Sequence, residues 1–118
     1  MDKQLFHKDV ILREPPRLKL SKSGIRGDCA RFRAMCKHEK KTYVFSLWQE
    51  QAHYWTRPDT TLRKGDLIEI AGQWKLHPAG SWTKCDGTPG FEYYEGKIRD
   101  CVLHSRGNVI DERKEGDK

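Results

Sequence analysis

Residues 62–74, LRKGDLIEIAGQW, give the strongest indication of how this 118-residue chain folds. The first part of this segment is a turn. The second part is a strand in which Ile68, Ile70 and Trp74 share one face, because side chains alternate across a strand. Gly72 lies in the same strand and predicts a bulge or a tight bend. Such bends close small barrels, so the segment is typical of a barrel strand.

The clearest strand pattern lies upstream of this segment, at residues 28–38. One face carries Ala30, Phe32, Ala34 and Cys36, and the other carries Arg31, Arg33, Met35 and Lys37. Because side chains repeat every second residue, the cations on the open face lie ~7 Å apart, near the phosphate spacing of an extended nucleic-acid strand. The pattern therefore predicts a strand with one core face and one cationic face.

A hairpin turn joins this strand to another at residues 42–49. Tyr43, Phe45 and Leu47 alternate onto the core face of the second strand. Trp48 falls on the opposite face, beside small side chains. Exposed aromatic side chains are typical of binding surfaces, so Trp48 is a candidate contact for a ligand or for a second subunit.

The remaining elements follow from alternation and from chain breakers. In chain order, the predicted elements are a first strand at residues 9–21 broken by the double proline 15–16, strands at 28–38 and 42–49, a short helix at 50–57, a strand at 67–75, a long loop at 77–90 and a last strand at 94–103. This order predicts an all-β, five-stranded Greek-key OB-fold barrel with one short helix between strands 3 and 4. We expect a flexible N-terminal arm at 1–8, the barrel at 9–105 and a disordered polar tail at 106–118.

The positive charge of the chain is concentrated in its middle third. Lys and Arg number 23 against 17 Asp and Glu, which gives a formal net charge of +6. Residues 17–57 hold ten of the cations and three of the anions, so this part carries the whole excess. A basic patch indicates a polyanionic partner, most simply a nucleic acid. The mean hydropathy of −0.90 and the absence of a long apolar run predict no membrane span, and we expect a cytoplasmic, nucleoid-associated protein.

The sequence contains no recognisable catalytic or metal-binding motif. The four cysteines (Cys29, Cys36, Cys85 and Cys101) are widely spaced, whereas compact zinc sites bring their ligands in close pairs. The five histidines are scattered, and no nucleophile elbow, metalloprotease motif or phosphate-binding loop occurs. We therefore expect no enzyme activity, no cofactor and no metal.

Two segments resemble the bacterial single-stranded DNA-binding proteins. Residues 62–74 are similar to the family pattern L-x-K-G-x-x-[IV]-x-[IV]-x-G-x-[LW], and residues 81–87, SWTKCDG, are similar to the W-x-[DK]-x-x-G element of the family's strand 4–5 loop. Two features depart from the family. The double proline shortens the first strand, and the chain ends without the acidic, Phe-ended tail that recruits partners. These departures resemble the primosomal replication protein N branch, or a phage or plasmid variant.

The resemblance implies that aromatic side chains at the positions of Trp48 and Trp82 stack on bases. The candidate nucleic-acid contacts are the cations Lys19, Arg31, Arg33, Lys37 and Lys84 for phosphates, and the aromatic residues Trp48, Trp74, Trp82 and Tyr93 for bases. Other roles stay open: Trp74 also fits the core, Trp82 a loop anchor, Tyr93 a cover for the sheet, and the cations a solvated surface.

The expected function is binding of single-stranded DNA, with little sequence preference, in replication, recombination or repair. Two alternatives remain. One is an RNA-binding OB module, because the same electrostatics and stacking serve both nucleic acids. The other is a protein-interaction subunit of a primosome or replication complex. A homodimer or homotetramer is expected, because linked sites raise the effective concentration.

Overall fold

The computed structural model describes residues 4–22 and 24–107. Its elements are β1 (Leu5–Leu12), β2 (Arg17–Lys19), a 3₁₀ turn (Gly24–Arg26), β3 (Cys29–Cys36), β4 (Thr42–Trp48), α1 (Glu50–Tyr54), β5 (Leu67–His77) and β6 (Tyr93–Ser105). Among the described residues, no helix has the length and apolar character that crossing a membrane requires.

The strands close into a ring. The sheet order is β1-β5-β6-β4-β3-β2, and β1 also pairs with β3, which completes the circle. β4 and β6 are parallel, and the other pairs are antiparallel. β1 and β2 both pair with β3, so they are two halves of one bent strand separated by the double proline. The predicted five-stranded OB barrel, with its helix between the third and fourth strands, is confirmed.

Gly72 bends β5, as its position in the strand predicts. The pairing of β5 with β6 shifts register between Ala71 and Gly72, which identifies a β-bulge. A Cβ atom at position 72 would overlap the backbone carbonyl of Lys97. Only glycine permits this close approach of the two strands, and the approach lets the sheet curve into a barrel.

The core consists of the apolar faces that alternation predicts. Its largest fully buried apolar side chains are Leu12, Phe32, Phe45, Leu47, Leu62, Ile68 and Ile70. Trp74 packs at one end of this core, with its ring centroid 4.8 Å from that of Phe6 and 5.8 Å from that of Phe45. The helix side is covered by Ala52 and the half-buried Trp55. Trp74 therefore packs against the core, which is one of the two positions that the sequence left open for it.

Several boundaries differ from the sequence-based prediction. The first strand begins at Leu5, within the stretch expected to be an arm, because Leu5 pairs with Gln73 of β5 and Phe6 is buried. The helix ends at Tyr54, and both β5 and β6 are longer than expected because they pair as far as His77 and Tyr93. Residues 1–3 and 108–118, which hold the rest of the expected arm and most of the expected tail, lie outside the described residues.

The two described residues of the expected tail hold the end of the barrel together. Arg106 Nη1 donates a hydrogen bond to Asp66 Oδ2 over 2.7 Å, and the Gly107 backbone N–H donates to Asp66 Oδ1 over 2.8 Å. Asp66 is fully buried, and it also accepts the Arg63 backbone N–H. These bonds satisfy a buried carboxylate, so the ordered chain extends beyond β6.

Candidate nucleic-acid interface

The outward faces of β3, β4 and β6 form one surface, called here the outer face. The pairing register places Arg31 of β3 opposite Ser46 of β4, and Ser46 opposite Lys97 of β6. The next row contains Arg33, Val44 and Glu95. Alternation therefore brings cations from two separate strands onto the same side of the barrel as Trp48, while Phe32 and Phe45 point inward.

Trp48 occupies one end of the outer face. Its indole is half-buried, and its Nε1–H donates a hydrogen bond to Ser46 Oγ over 2.8 Å. The Lys97 ammonium lies 4.7 Å from the centroid of the Trp48 ring, a cation–π arrangement. Trp48 and Lys97 line an open hollow of about 530 Å³ that also contains Arg26 and Arg99. This end therefore combines a flat ring with three cations.

Glu95 lies between the two ends of the outer face and is almost fully buried. Its Oε1 atom is 2.7 Å from His77 Nε2 and 3.6 Å from Arg31 Nε. Burial alone would raise the pKa of Glu95, but Ser46, the Arg31 charge and His77 together hold that pKa below its usual value. A buried carboxylate thus fixes Arg31, whose side chain remains exposed enough to meet a ligand.

Aromatic side chains form the other end. Tyr93 stacks on His77 with a centroid distance of 4.7 Å and an interplanar angle of 10°. Trp82 meets Tyr93 edge to face at 5.9 Å and Phe91 edge to face at 5.2 Å. Trp82, Phe91 and Tyr93 line a mainly apolar groove of about 400 Å³ together with Tyr43, Val44, Thr42 and Tyr94. Phe91 is 60% exposed, so this groove presents free ring surface.

The loop between β5 and β6 holds Trp82 in place. The Trp82 Nε1–H donates a hydrogen bond to the Phe91 carbonyl over 2.8 Å. A Cβ atom on Gly90 would overlap the indole, so the ring lies directly against the Gly90 backbone. Lys84 extends from the same loop, with its ammonium 5.7 Å from the Phe91 ring centroid. Trp82 is thus both a loop anchor and a wall of the groove, which combines the two roles left open by the sequence.

The structure places the other predicted contacts as follows. Lys19 is exposed on β2 and shares a hollow of about 420 Å³ with Arg17 and Arg31. Arg33 is exposed and pairs with Glu14 at 3.3 Å. Lys37 is exposed in the turn after β3. Trp74 is not on the outer face, because the Gly72 bulge and the core aromatic residues hold it at the barrel end.

Among the residues of this surface that were not identified as contacts from the sequence are His77, Phe91, Tyr94, Lys97 and the cations Arg26 and Arg99. Lys97 could have been found, because it falls two and four residues after Glu95 and Tyr93 on the same side of the last strand. The contribution of β6 becomes visible only when β6 is known to pair with β4. Phe91 depends on the loop conformation, for which the sequence carries no periodic signal, and Tyr94 reaches the groove from the start of β6.

Comparisons with known proteins bear on the fold. No protein-family model matches the sequence, and a comparison with curated proteins finds no match. Among solved structures, the mitochondrial single-stranded DNA-binding protein Rim1 of S. cerevisiae matches with a TM-score of 0.64 and 16% identity, covering 91% of this chain and 100% of that one.

Two bacterial structures match in the same way. The small single-stranded DNA-binding protein of Streptomyces coelicolor has a TM-score of 0.67 and 12% identity, and covers 88% of this chain and 94% of its own. The second single-stranded DNA-binding protein of Mycobacterium smegmatis has a TM-score of 0.58 and 12% identity, and covers 99% of this chain and 100% of its own. The chain therefore has the fold of these single-stranded DNA-binding proteins, the five-stranded OB barrel.

Proposed function

We propose that this protein binds single-stranded DNA with little sequence preference. The observation that carries the proposal is the outer face itself: an indole stands at each end, and cations from β2, β3 and β6 lie between and beside them. Single-stranded nucleic acid is bound by this combination of a cationic track and aromatic platforms. The shared fold with proteins that bind single-stranded DNA supports the same function.

Phosphates follow the cations on and beside the outer face in this proposal. The contacts are Lys19, Arg31, Arg33, Lys37 and Lys84, to which the geometry adds Lys97. Arg33 is already paired with Glu14, but both side chains are exposed, and exposed pairs contribute at most about 1 kcal/mol. A phosphate can therefore replace Glu14 at the Arg33 guanidinium at little cost, while Glu14 keeps its hydrogen bond from the Arg33 backbone N–H. Neutralisation of phosphates releases counterions, which supplies affinity that does not depend on sequence.

Bases stack at the two ends of the face. Lys97 lies over the Trp48 ring, so that ring is open to a group from solvent. When a base takes this position, Lys97 is free to turn toward the adjoining phosphate. At the other end, the groove beside Trp82 accepts a base between Tyr93 and the exposed Phe91. Each base stacked on an aromatic ring contributes about 1–3 kcal/mol, whichever base it is.

The direct test is a fluorescence titration with oligo-dT at two or more salt concentrations. We expect quenching of tryptophan emission, and a slope of log K against log salt of roughly −3 to −4 if about five phosphates are neutralised. Trp48→Phe and Trp82→Phe identify the responding indoles, and Trp74→Phe is the matched control inside the barrel. Unchanged emission at saturating oligonucleotide contradicts the stacking proposal.

The same titration separates the alternative partners. Matched RNA oligomers that bind more tightly than DNA would identify an RNA-binding module. Weak binding of both, unaltered by replacement of the tryptophans, would favour a protein-interaction subunit of a replication complex. Within the proposal the protein acts in replication, recombination or repair as a homodimer or homotetramer and catalyses no reaction. Sedimentation of the free and DNA-bound protein measures the oligomeric state.

A further inference from the structure

Four side chains that could ligate a metal converge on a different part of the barrel, on the outward side of β1, β5 and the end of β6. They are His7, Asp9, Glu69 and His104, and none belongs to the outer face. Asp9 lies directly opposite Glu69 in the pairing of β1 with β5. His104 reaches the same point from β6, because Leu103 pairs with Ile68, the residue before Glu69. Three strands thus meet at one cluster.

The two histidines share the Glu69 carboxylate. His104 Nε2 lies 2.7 Å from Glu69 Oε1, and His7 Nε2 is hydrogen-bonded to Glu69 Oε2. One ligand atom from each of Asp9, Glu69 and His104 lies within 4.8 Å of the other two. Ligand atoms around a tetrahedral zinc ion lie about 3.3 Å apart, given metal–ligand distances of about 2.0–2.1 Å. Small side-chain rotations would therefore bring the three atoms to a metal.

The local charges favour a divalent cation. Each oxygen of the Glu69 carboxylate faces a histidine, His7 on one side and His104 on the other, and Asp9 adds a second carboxylate. Lys8 also lines the hollow, but its charge is paired with Glu39. Two carboxylates and a neutral imidazole are donors that zinc accepts, and hard cations such as Mg²⁺ prefer oxygen alone.

We propose that Asp9, Glu69 and His104 bind one Zn²⁺ ion, with His7 as a positioning residue that holds Glu69. The half-exposed hollow of about 410 Å³ leaves the fourth coordination position to water. Cys36 also lines this hollow, but it is buried in the core and does not belong to the group whose ligand atoms lie within 4.8 Å of one another. Because its ligands come from β1, β5 and β6, the ion would link three strands of the folded barrel and be absent from the unfolded chain.

The test is thermal unfolding and calorimetric titration of the metal-free full-length protein with ZnCl₂, and with MgCl₂ for comparison. We expect one Zn²⁺ per chain and a rise in Tm of at least ~5 °C at saturating Zn²⁺, since the ion binds only the native state. His104→Ala and Asp9→Asn should each remove the rise in Tm. His7→Ala should weaken Zn²⁺ binding by about 10–100-fold, as for other residues that orient a metal ligand.

The matched control is His38→Ala, which removes a histidine from the same hollow without touching the cluster. This variant should keep the full rise in Tm. Circular dichroism without metal checks that every variant is folded. Three results would overturn the proposal: no saturable Zn²⁺ uptake, a rise in Tm that survives both His104→Ala and Asp9→Asn, or an equal loss in His38→Ala. None of these results depends on DNA binding, so the metal site and the proposed function can fail separately.

Discussion

The two ends of the outer face present an indole by different means. Trp48 stands on a strand: its direction follows from the alternation of β4, and its N–H bonds to Ser46 two residues earlier. Trp82 stands in a loop: its ring rests on Gly90, and its N–H bonds to the carbonyl of Phe91. The strand end is thus fixed by the sheet, whereas the loop end is fixed by a few local contacts. A substitution beside Trp82 should therefore disturb binding more than one beside Trp48.

The largest expected effect is the loss of either indole, with the loop end more sensitive. Trp82→Ala should weaken oligo-dT binding toward the upper part of the range of about 1–3 kcal/mol, because Phe91 and Tyr93 lose their ring contact as well. Trp48→Ala should fall toward the lower part, because Lys97 remains available for a phosphate. Equilibrium titration of both variants measures the difference, and a greater loss for Trp48→Ala would reverse the comparison.

A smaller effect is expected from the residues that support each indole. In Gly90→Ala the new methyl group overlaps the Trp82 ring, which must move, and we expect oligo-dT binding to weaken by about 1 kcal/mol. Cys85→Ser, an exposed change in the same loop as Gly90, is the control for Gly90→Ala and should leave oligo-dT binding unchanged.

Ser46→Ala removes the acceptor of the Trp48 N–H, and should cost about 0.5–1.5 kcal/mol of unfolding free energy with less change in oligo-dT binding. Equal binding losses in Gly90→Ala and Ser46→Ala would mean that the strand holds its indole no better than the loop does.

The smallest effect concerns Glu95, between the two ends. Its folded-state pKa is lowered from 4.5, so its ionised form stabilises the native state above that pH, and this stabilisation is lost as pH falls through the lowered pKa. Glu95→Gln should therefore flatten the dependence of the unfolding free energy on pH below 4.5. The effect is small because burial opposes the hydrogen bonds and the Arg31 charge. Urea unfolding at a series of pH values measures it; a variant whose profile matches the parent profile below 4.5 would show that Ser46, Arg31 and His77 do not stabilise the ionised form of Glu95 as described.

Periodic features of the sequence predicted most of the fold. Phe32, Phe45 and Ile70 point inward because strands alternate, and Gly72 forms the bulge because two backbones approach there. The start of β1 at Leu5 was missed because it depends on a distant partner, Gln73, and polar residues mask the alternation. The end of a strand that depends on pairing with a distant strand cannot be predicted from the residues of that one strand.

Alternation along single strands also predicted part of the candidate site. It placed Arg31 of β3 and Trp48 of β4 on the outward side of their strands, where the structure has them. Lys97 joins them only through the parallel pairing of β6 with β4. The cluster around Glu69 was missed because its members come from distant parts of the sequence and only the strand register brings them together. Compact motifs are readable in a sequence, whereas side chains that the register assembles are not.

The parallel pairing of Val44 with Glu95 also constrains the order in which the barrel can be assembled. β3, β4 and the helix can associate through neighbouring contacts, but the ring stays open until β6, the last strand, is in place. Topologies dominated by such distant pairings fold slowly, in roughly milliseconds to seconds for small β-barrels. Because β6 supplies Lys97 and Tyr93, a nascent or partly folded chain lacks part of the proposed nucleotide-binding surface. If the proposed function is right, affinity for single-stranded DNA should therefore appear only at the final step of folding.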